Sequence, residues 1–492
     1  MAEQSEAHRA GERAVRNTTV RAAGEVVGKL STFLLFAVLA REVGQEGLGS
    51  FVFAFAFLGV ALIPVALGCD TYMLREVAKD RAAADRLFFN VLALKLGMAG
   101  PVLAVCFVAV AALGYDGRTR DTVYVLAVGL LLDLMGKSLN AMFNATERSD
   151  LLVRSLVLQR VITAGLGIGA LAAGYGVVAV AALYSIGSAV GFVVGMTSLS
   201  RHHGLPPRIV DRSAWRGLTA SSFPFAVQDV VTGLLFKLDA VILSLMAAEA
   251  AVGRYGAAYR VLEATMFLGW ALNGAFVAMY TYLGRDTDPT VGAVFQRSIK
   301  AAIVLLTPVA IVMGLLAEPV MKVGFGEDFA SAAAPLRLLA PVAVALSVMT
   351  LTSSLIITRR SPKTMVKLTA SAVFLNATLN VALIPSLEDS GAALAMLLTE
   401  VALVVASLWL ASREVGGVDW LQTLAGPLGG GAAMAAVMVA LGSLPLVALV
   451  AGVAVYSAAL AAVERVASPG DLDFVVGIAR KRLRRGPLPT SS

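Results

Sequence analysis

Charge is scarce in this sequence of 492 residues. Only 15% of the residues are Asp, Glu, Lys or Arg, whereas soluble proteins carry about 25%. Hydrophobic residues account for 58%, and apolar stretches of roughly 20 residues recur along the chain, each long enough to cross a hydrocarbon core of ~30 Å. The apolar–polar alternation of membrane β-strands is missing. The sequence therefore predicts an all-α polytopic membrane protein.

Cysteine and histidine are also rare, with two and three copies. Cys69 and Cys106 fall in or at the edge of apolar stretches, so we interpret them as small buried residues rather than as a disulfide. The sequence has no P-loop, no HExxH motif and no Cys/His spacing typical of a metal site. The glycine-rich run 165–170 lies inside an apolar stretch with no strand before it, unlike a dinucleotide loop. We predict no cofactor, no metal and no enzymatic activity.

The apolar stretches define about fourteen membrane spans. The polar start, Met1–Asn17, is followed by a long apolar segment without a small-residue cleavage site, so we expect the first span to be retained. The predicted spans are 18–40, 48–70, 87–113, 122–144, 153–173, 176–200, 217–247, 252–283, 293–317, 333–357, 365–386, 391–412, 425–442 and 444–464.

The basic residues predict the orientation of these spans. If both termini face the cytoplasm, the segments on that side hold about 28 of the 40 Lys and Arg residues, and the opposite loops hold about six. The formal charge of +7 is therefore explained by short cytoplasmic loops, and we predict no nucleic-acid partner. We predict a multi-pass protein of the bacterial cytoplasmic membrane with both termini in the cytoplasm.

The most polar joint between spans, at 201–216, divides the chain into two sets of six spans. Gly49 begins the second span and Gly253 begins the eighth, each followed by aromatic and small residues, which favours an internal repeat and a two-lobed transporter. The predicted units are an N-terminal lobe at 1–200, a cytoplasmic inter-lobe loop at 201–216, a C-terminal lobe at 217–412, an extra helix pair at 413–464 and a basic cytoplasmic tail at 465–492.

The tail is open to two interpretations. It is either a short amphipathic helix lying on the anionic inner leaflet or a disordered, solvated segment. The first interpretation rests on an apolar face and a basic remainder of the segment. The apolar residues are Phe474, Val475, Ile478 and Leu483, and the basic residues are Arg480, Lys481, Arg482, Arg484 and Arg485.

Charges inside the spans are the most informative residues, because each costs several kcal/mol unless it faces protein or water. They concentrate in the predicted hairpin Ser221–Glu263, which indicates a water-filled cavity in a helical bundle. Three pairs have the spacing of neighbours on one helix face and are predicted to pair: Glu25 with Lys29, Asp133 with Lys137, and Arg260 with Glu263. Lys95 and Arg160 are expected to snorkel. Lys237 and Asp239 point to different faces. Lys29, Lys237 and Arg260 are candidates to line the cavity.

Four stretches resemble the polysaccharide-transporter (Wzx-like) flippases of the multidrug/oligosaccharidyl-lipid/polysaccharide superfamily. They are KLDAVILSLM followed by VGRYGAAYRVLE in spans 7 and 8, FAVLAREVGQEGLGSFVFAFAF in spans 1 and 2, FGEDFASAAAPLRLLAP before span 10, and LNVALIPSLEDSGAALAMLLTE in spans 11 and 12. The resemblance covers nearly the whole chain.

The resemblance implies two six-helix lobes in a V shape around a central cavity lined by spans 1, 2, 7 and 8. It implies translocation of an isoprenoid-diphosphate-linked oligosaccharide, a precursor of cell-surface polysaccharide, by alternating access. Membrane lipids would be partners, as would a polysaccharide polymerase and glycosyltransferases. The resemblance carries substrate-binding roles over to Lys29, Asp239 and Arg260. We add Lys237 and Glu263, which lie in the same hairpin as Asp239 and Arg260, as candidate substrate-binding residues. Span 1 has one Lys where the lipid II branch has several Arg, so lipid II is not the predicted substrate.

Two other functions remain open on the sequence. A cation-coupled multidrug exporter of the same superfamily would use the carboxylates within the spans to bind a proton or sodium ion together with a cationic drug. The basic neighbours of these carboxylates weigh against that function. A non-transporting scaffold of a glycan-assembly complex is the third alternative.

Overall fold

The computed structural model describes residues 2–204, 206–282, 290–360, 362–442 and 444–467, with side chains from Gly24 onward at the N-terminal end. All regular elements in this part of the chain are helical, which confirms the all-α prediction. The α-helices are α1 (Ala2–Ala61), α2 (Ile63–Ala66), α3 (Cys69–Lys79), α4 (Ala83–Ala112), α5 (Gly117–Ala145), α6 (Ser149–Ala172), α7 (Val177–His203), α8 (Trp215–Met246), α9 (Glu249–Tyr282), α10 (Thr290–Leu315), α11 (Ala317–Phe325), α12 (Ala333–Arg359), α13 (Pro362–Val415), α14 (Trp420–Ala440) and α15 (Pro445–Ala467).

Helices cover each of the fourteen predicted spans, and two of them cover two spans each. Helix α1 is interrupted at Gly44, and α13 is interrupted at Glu388. By length and composition alone, nine helices among the described residues are suited to cross a membrane, or ten with the bent pair formed by α1 and the segment Ile63–Lys79. Helices α8 and α9, which carry much of the intramembrane charge, are not among the nine.

The second span is broken in its middle, and the break has a local cause. Pro64 lies in the first turn of the short helix α2, and the axes of the segments Gly24–Ala61 and Ile63–Lys79 differ by 41°. Leu67 and Gly68, which follow α2, adopt positive φ angles of 50° and 64°. A Cβ on Gly68 would lie 2.3 Å from the backbone nitrogen of Ala226 in α8. Glycine is therefore required both by the backbone angle and by the close approach of α8.

The chain forms two compact units. The first contains Met1–Phe267, Met321–Pro335 and Val366–Thr399. Part of its core is a cluster of buried side chains from α3, α4, α5, α6, α7 and α8 that includes Met73, Phe88 and Phe143. The two six-span lobes, at 1–200 and 217–412, stay predictions.

The second unit contains Leu268–Val320, Leu336–Met365 and Glu400–Ser492. Within it, α14 and α15 pack against α10 through polar contacts as well as apolar ones. Lys300 of α10 makes a buried ion pair with Glu464 of α15, and the Tyr456 hydroxyl donates to the carbonyl oxygen of Val304 at 2.7 Å. The segment 425–463 has no charged residue, and Glu464, which follows it directly, connects α15 to α10 through its ion pair with Lys300.

Three smaller sequence predictions can be located. Cys69 and Cys106 are free and buried, as predicted. The inter-lobe loop is tied to α4, because Asn90 Oδ1 accepts hydrogen bonds from the backbone of Asp211 at 2.8 Å and from the Trp215 indole at 3.2 Å. The basic cluster 480–485 of the tail lies outside the described residues.

Candidate functional site

The first unit encloses a cavity of about 420 Å³ between α1, α5, α6, α7 and α9. This volume is within the range of small-molecule sites, roughly 300–1,000 Å³. Its wall combines aromatic side chains with charged and amide side chains. The charged lining residues are Lys29, Lys137, Arg160, Arg260, Asp133 and Glu263. Four basic side chains thus face two carboxylates, which gives the wall an excess of positive charge.

Glu263 lies at the centre of the α1–α9 side of this cavity. Lys29 Nζ donates to Glu263 Oε1 at 3.2 Å, and Arg260 Nη1 donates to Oε2 of the same carboxylate. The Arg260 guanidinium also lies over the Phe36 ring, with its central carbon 3.7 Å from the ring centroid. Cation–π contact of this kind fixes the plane of the guanidinium group. The Lys29 ammonium group and the Arg260 guanidinium group therefore share the Glu263 carboxylate beside the cavity.

Lys237 lies behind this group rather than among the lining residues. Its Nζ is 5.0 Å from the centroid of Phe55, and the Phe55 ring lines the cavity. Among the described residues, Lys237 makes no ion pair with a carboxylate. It therefore adds positive potential next to the Phe55 ring of the cavity wall.

Asp239 lies away from the cavity lining. Its side chain is buried, and its carboxylate accepts a hydrogen bond from the Tyr255 hydroxyl at 2.9 Å and from Asn380 Nδ2 at 2.6 Å. Of the five site residues predicted from the sequence, the structure brings together Lys29, Arg260 and Glu263. Lys237 is adjacent to them, and Asp239 belongs to a separate buried network of α8, α9 and α13.

On the opposite wall, formed by α5, α6 and α7, the carboxylate of Asp133 is bound by neutral donors. Asp133 accepts hydrogen bonds from Gln159 Nε2 at 2.6 Å and from the Tyr184 hydroxyl. Gln159 Nε2 is also 3.1 Å from Ser188 Oγ. A Cβ on Gly191 of α7 would lie 2.8 Å from the Gln159 Cβ, so the glycine row of span 6 permits the close packing of α6 and α7 that fixes Gln159 in this position.

Lys137 and Arg160 are cavity residues that sequence reasoning missed. Arg160 pairs with Glu25 of α1 at 3.3 Å rather than snorkelling. Lys137 is exposed within the cavity and makes no ion pair among the described residues, since Asp133 turns toward α6 and α7. The available signal was the spacing of Asp133, Lys137 and Asn140 by four and three residues, which indicates a polar stripe on one helix face.

The part of the chain that the structure describes contains no group of three or more His, Cys, Asp or Glu residues arranged to hold a metal ion. The chemistry of the cavity is therefore that of ion pairing, hydrogen bonding and aromatic contact. An anion with several acceptor oxygens fits the donors of Lys29, Arg260 and Lys137.

Comparisons with known proteins agree with this architecture. The family described as "Polysaccharide biosynthesis protein" matches residues 14–277. A curated relative, the probable low-salt glycan biosynthesis flippase Agl15 of Haloferax volcanii, is 23% identical over 371 residues, which cover 75% of this chain and 77% of the relative.

Solved structures of two transporters have the same fold. A structure of the lipid II flippase MurJ in an inward closed conformation superposes with a TM-score of 0.77 at 12% identity, covering 91% of this chain and 99% of that one. An inward-facing multidrug resistance MATE transporter superposes with a TM-score of 0.65 at 15% identity, covering 81% and 98%. At these identities the likeness concerns the fold alone.

Proposed function

The chain belongs to the family of polysaccharide biosynthesis proteins, and from this premise we propose that it is a flippase for an isoprenoid-diphosphate-linked oligosaccharide. The substrate would cross the bacterial cytoplasmic membrane by alternating access, with the diphosphate and adjoining sugar held in the cavity of the first unit. The curated relative is itself described as a glycan biosynthesis flippase, which supports this assignment.

The observation that carries the proposal is the shared carboxylate of the α1–α9 wall. Glu263 pairs with both Lys29 and Arg260, and the cavity lining as a whole holds four basic and two acidic side chains, which is an excess of positive charge. A diphosphate presents several acceptor oxygens, and a guanidinium group can bind two of them with parallel hydrogen bonds. Lys137 supplies a further ammonium group from the other wall. Cations in a site of low dielectric constant bind phosphate much more strongly than they would in bulk water.

The proposed direction of transport has an energetic basis. Moving a negative charge outward across an inside-negative membrane is favoured by about 2.3 kcal/mol per charge for each 100 mV. A diphosphate diester carries about two such charges, so the membrane potential alone can drive export. The proposal therefore requires no nucleotide hydrolysis.

The alternative of a cation-coupled drug exporter would need an acidic cavity. The four basic and two acidic lining residues give the opposite sign of charge, and they favour an anionic head group over a cationic drug.

Substitutions at Arg260 test the proposal. Arg260→Lys retains the charge without the planar fork and should retain part of the export rate. Arg260→Ala should lower the rate by about 10- to 100-fold, which corresponds to the loss of ~1.5–3 kcal/mol of charged hydrogen bonding. The assay is export of a polyprenyl-diphosphate-linked glycan by the full chain in proteoliposomes, together with protein yield and melting temperature.

Glu263 keeps a basic partner when Arg260 is removed. In Arg260→Ala its carboxylate still has Lys29 at 3.2 Å, so the variant does not leave a buried charge without a partner. Arg148→Ala removes a half-buried Arg outside the cavity, paired with Asp150 at the start of α6, and serves as the control. Normal export by the double variant Arg260→Ala with Glu263→Gln would show that Arg260 only balances Glu263, and would refute its role in binding.

A further inference from the structure

The α5–α6–α7 wall of the cavity has hydrogen-bonding capacity that the protein itself does not use. A carboxylate accepts about four hydrogen bonds. Asp133 accepts two, from Gln159 and Tyr184, and the Ser188 hydroxyl lies beside them. Even if Ser188 also donates, Asp133 keeps one acceptor position that the protein does not fill, and the residue lines the cavity.

Two amide side chains add to this capacity. Among the described residues, no donor reaches Gln159 Oε1, and the Asn140 side chain makes no hydrogen bond although it lines the cavity. Each amide offers an oxygen that accepts and an NH₂ group that donates. Gln159 has committed its NH₂ group to Asp133 and Ser188 and keeps its oxygen without a donor, whereas Asn140 has both groups available.

The combination of acceptors and donors indicates the chemistry of the ligand. A metal cation needs acceptors alone, and a phosphate needs donors alone. A sugar hydroxyl both donates and accepts, so it matches a wall that contains a carboxylate, an amide oxygen and a free amide. A cation at Asp133 would in addition meet Lys137 one helical turn away and Arg160 beside Gln159, and both are basic residues of the same cavity.

The position of this wall agrees with a sugar attached to the diphosphate. Lys29, Arg260 and Glu263 line the same cavity of about 420 Å³ from the α1–α9 side. A cavity of this size holds a head group together with an adjoining sugar. The sugar that adjoins the diphosphate is therefore the part of the glycan that this wall reaches.

We propose that Asp133, Asn140 and Gln159 form a sugar-binding subsite that recognises hydroxyl groups of the sugar linked directly to the diphosphate. This subsite rests on the proposed flippase function and assigns the specificity for the first sugar to α5 and α6. Lys29 and Arg260 of the other wall, together with Lys137, bind the diphosphate whatever sugar it carries.

Calorimetric titration of the full chain in detergent tests the subsite with two kinds of probe. One is farnesyl diphosphate, and the other is a panel of farnesyl-diphosphate-linked hexoses and N-acetylhexosamines. The wild type should bind at least one sugar-bearing probe about tenfold or more tightly than farnesyl diphosphate. Asp133→Asn and Asn140→Ala should each remove most of this difference and leave the affinity for farnesyl diphosphate unchanged. Asn140→Ala breaks no hydrogen bond within the described residues, so it tests the subsite even where Asp133→Asn lowers stability.

Asp150→Asn, at an exposed ion pair outside the cavity, is the matched control and should bind every probe as the wild type does. Equal affinity of the wild type for farnesyl diphosphate and for all sugar-bearing probes would overturn the subsite and leave the diphosphate site standing. Equal weakening of both kinds of probe by Asp133→Asn would also overturn it, because Asp133 would then act on the head group or on a coupled proton. Failure of the wild type to bind any probe would instead refute the proposed function.

Discussion

The side chain of Lys95 is fully buried and satisfies its charge entirely within the protein. Its ammonium group donates to both oxygens of Asp70, at 2.6 and 2.7 Å, to Ser138 Oγ at 2.9 Å and to the carbonyl oxygen of Leu134 at 3.0 Å. These partners come from α3 and α5, on either side of α4. The expectation that Lys95 would snorkel was wrong, because its partners lie 25 or more residues away and no local spacing reveals them.

Removing one member of this ion pair should destabilise the protein strongly. A buried charge that loses its partner typically costs about 3–5 kcal/mol, so Asp70→Asn should lower the melting temperature in detergent and the protein yield. The double variant Asp70→Asn with Lys95→Met removes both charges and should recover most of the loss. Lys79→Met at the exposed pair with Glu76 should change the melting temperature little. An unchanged melting temperature for Asp70→Asn would contradict a structural role for this pair.

Local spacing predicted some ion pairs of the cavity and missed others. The pair of Arg260 and Glu263 is confirmed. The predicted pair of Glu25 with Lys29 was wrong, since Glu25 pairs with Arg160 and Lys29 with Glu263. Asp133 and Lys137 form no ion pair among the described residues, and Asp133 is bound by Gln159 and Tyr184. Spacing along one helix predicts contacts within that helix and gives no information on facing helices. In a bundle, a charged side chain can pair with residues of its own helix or of any neighbouring helix.

Two glycines bring α1 and α9 into backbone contact at one end of the first unit. A Cβ on Gly49 would lie 2.0 Å from the carbonyl oxygen of Glu249, and a Cβ on Gly253 would lie 2.0 Å from that of Gln45. The contact is reciprocal, with each glycine facing the residue four positions before the other. The Glu249 side chain also accepts from Ser50 Oγ at 3.2 Å. This symmetry gives a physical meaning to the similarity between the starts of spans 2 and 8.

Adding a methyl group at Gly49 should open this contact. The obstructing atoms belong to backbone and cannot rotate away, so Gly49→Ala must separate α1 from α9. Ser50, next to this contact, is fully buried. In a background lacking Cys69 and Cys106, the variant Ser50→Cys should react with a small thiol reagent about tenfold faster or more when Gly49→Ala is also present. A tenfold change in the ratio of open to closed forms corresponds to ~1.4 kcal/mol.

The control for this experiment is Gly165→Ala, since no atom lies within 4 Å of the Cβ position there. It should leave the labelling rate of the Ser50→Cys probe unchanged. Unchanged labelling with Gly49→Ala would mean that the contact already opens freely and does not close this end of the unit.

The helices themselves were predictable, and their interruptions were partly so. Runs of about 20 apolar residues specify a span because the hydrocarbon core requires that length and a satisfied backbone. The break of α13 falls between two predicted spans, but the residue with positive φ is Glu388, at 47°, and not a glycine like Gly44 of α1. Arg254 donates to Glu388 and to Asp389 at 2.9 and 2.7 Å, so the conformation is stabilised by a contact with a distant helix.

At the scale of the whole molecule, the distribution of basic residues still predicts an orientation that can be measured. Helix α7 is suited to the test because exposed residues flank both of its ends. Tyr175 precedes it and is 63% exposed, and Arg208 follows it in the exposed inter-lobe loop. The predicted topology assigns Tyr175 to the outer surface and Arg208 to the cytoplasm.

Single cysteines at these two positions, in a background lacking Cys69 and Cys106, decide the orientation. A membrane-impermeant maleimide added to intact cells should label Tyr175→Cys and should label Arg208→Cys only after the cells are permeabilised. Both native cysteines are free, so the background removes no disulfide. The reverse labelling pattern would show that the predicted orientation is wrong. The transport step proposed as outward would then run inward, and an inside-negative potential opposes inward movement of an anion. The effect of the membrane potential on transport depends on the orientation of the protein as well as on the charge of the substrate. This measurement therefore tests the proposed direction of transport without requiring the substrate to be known.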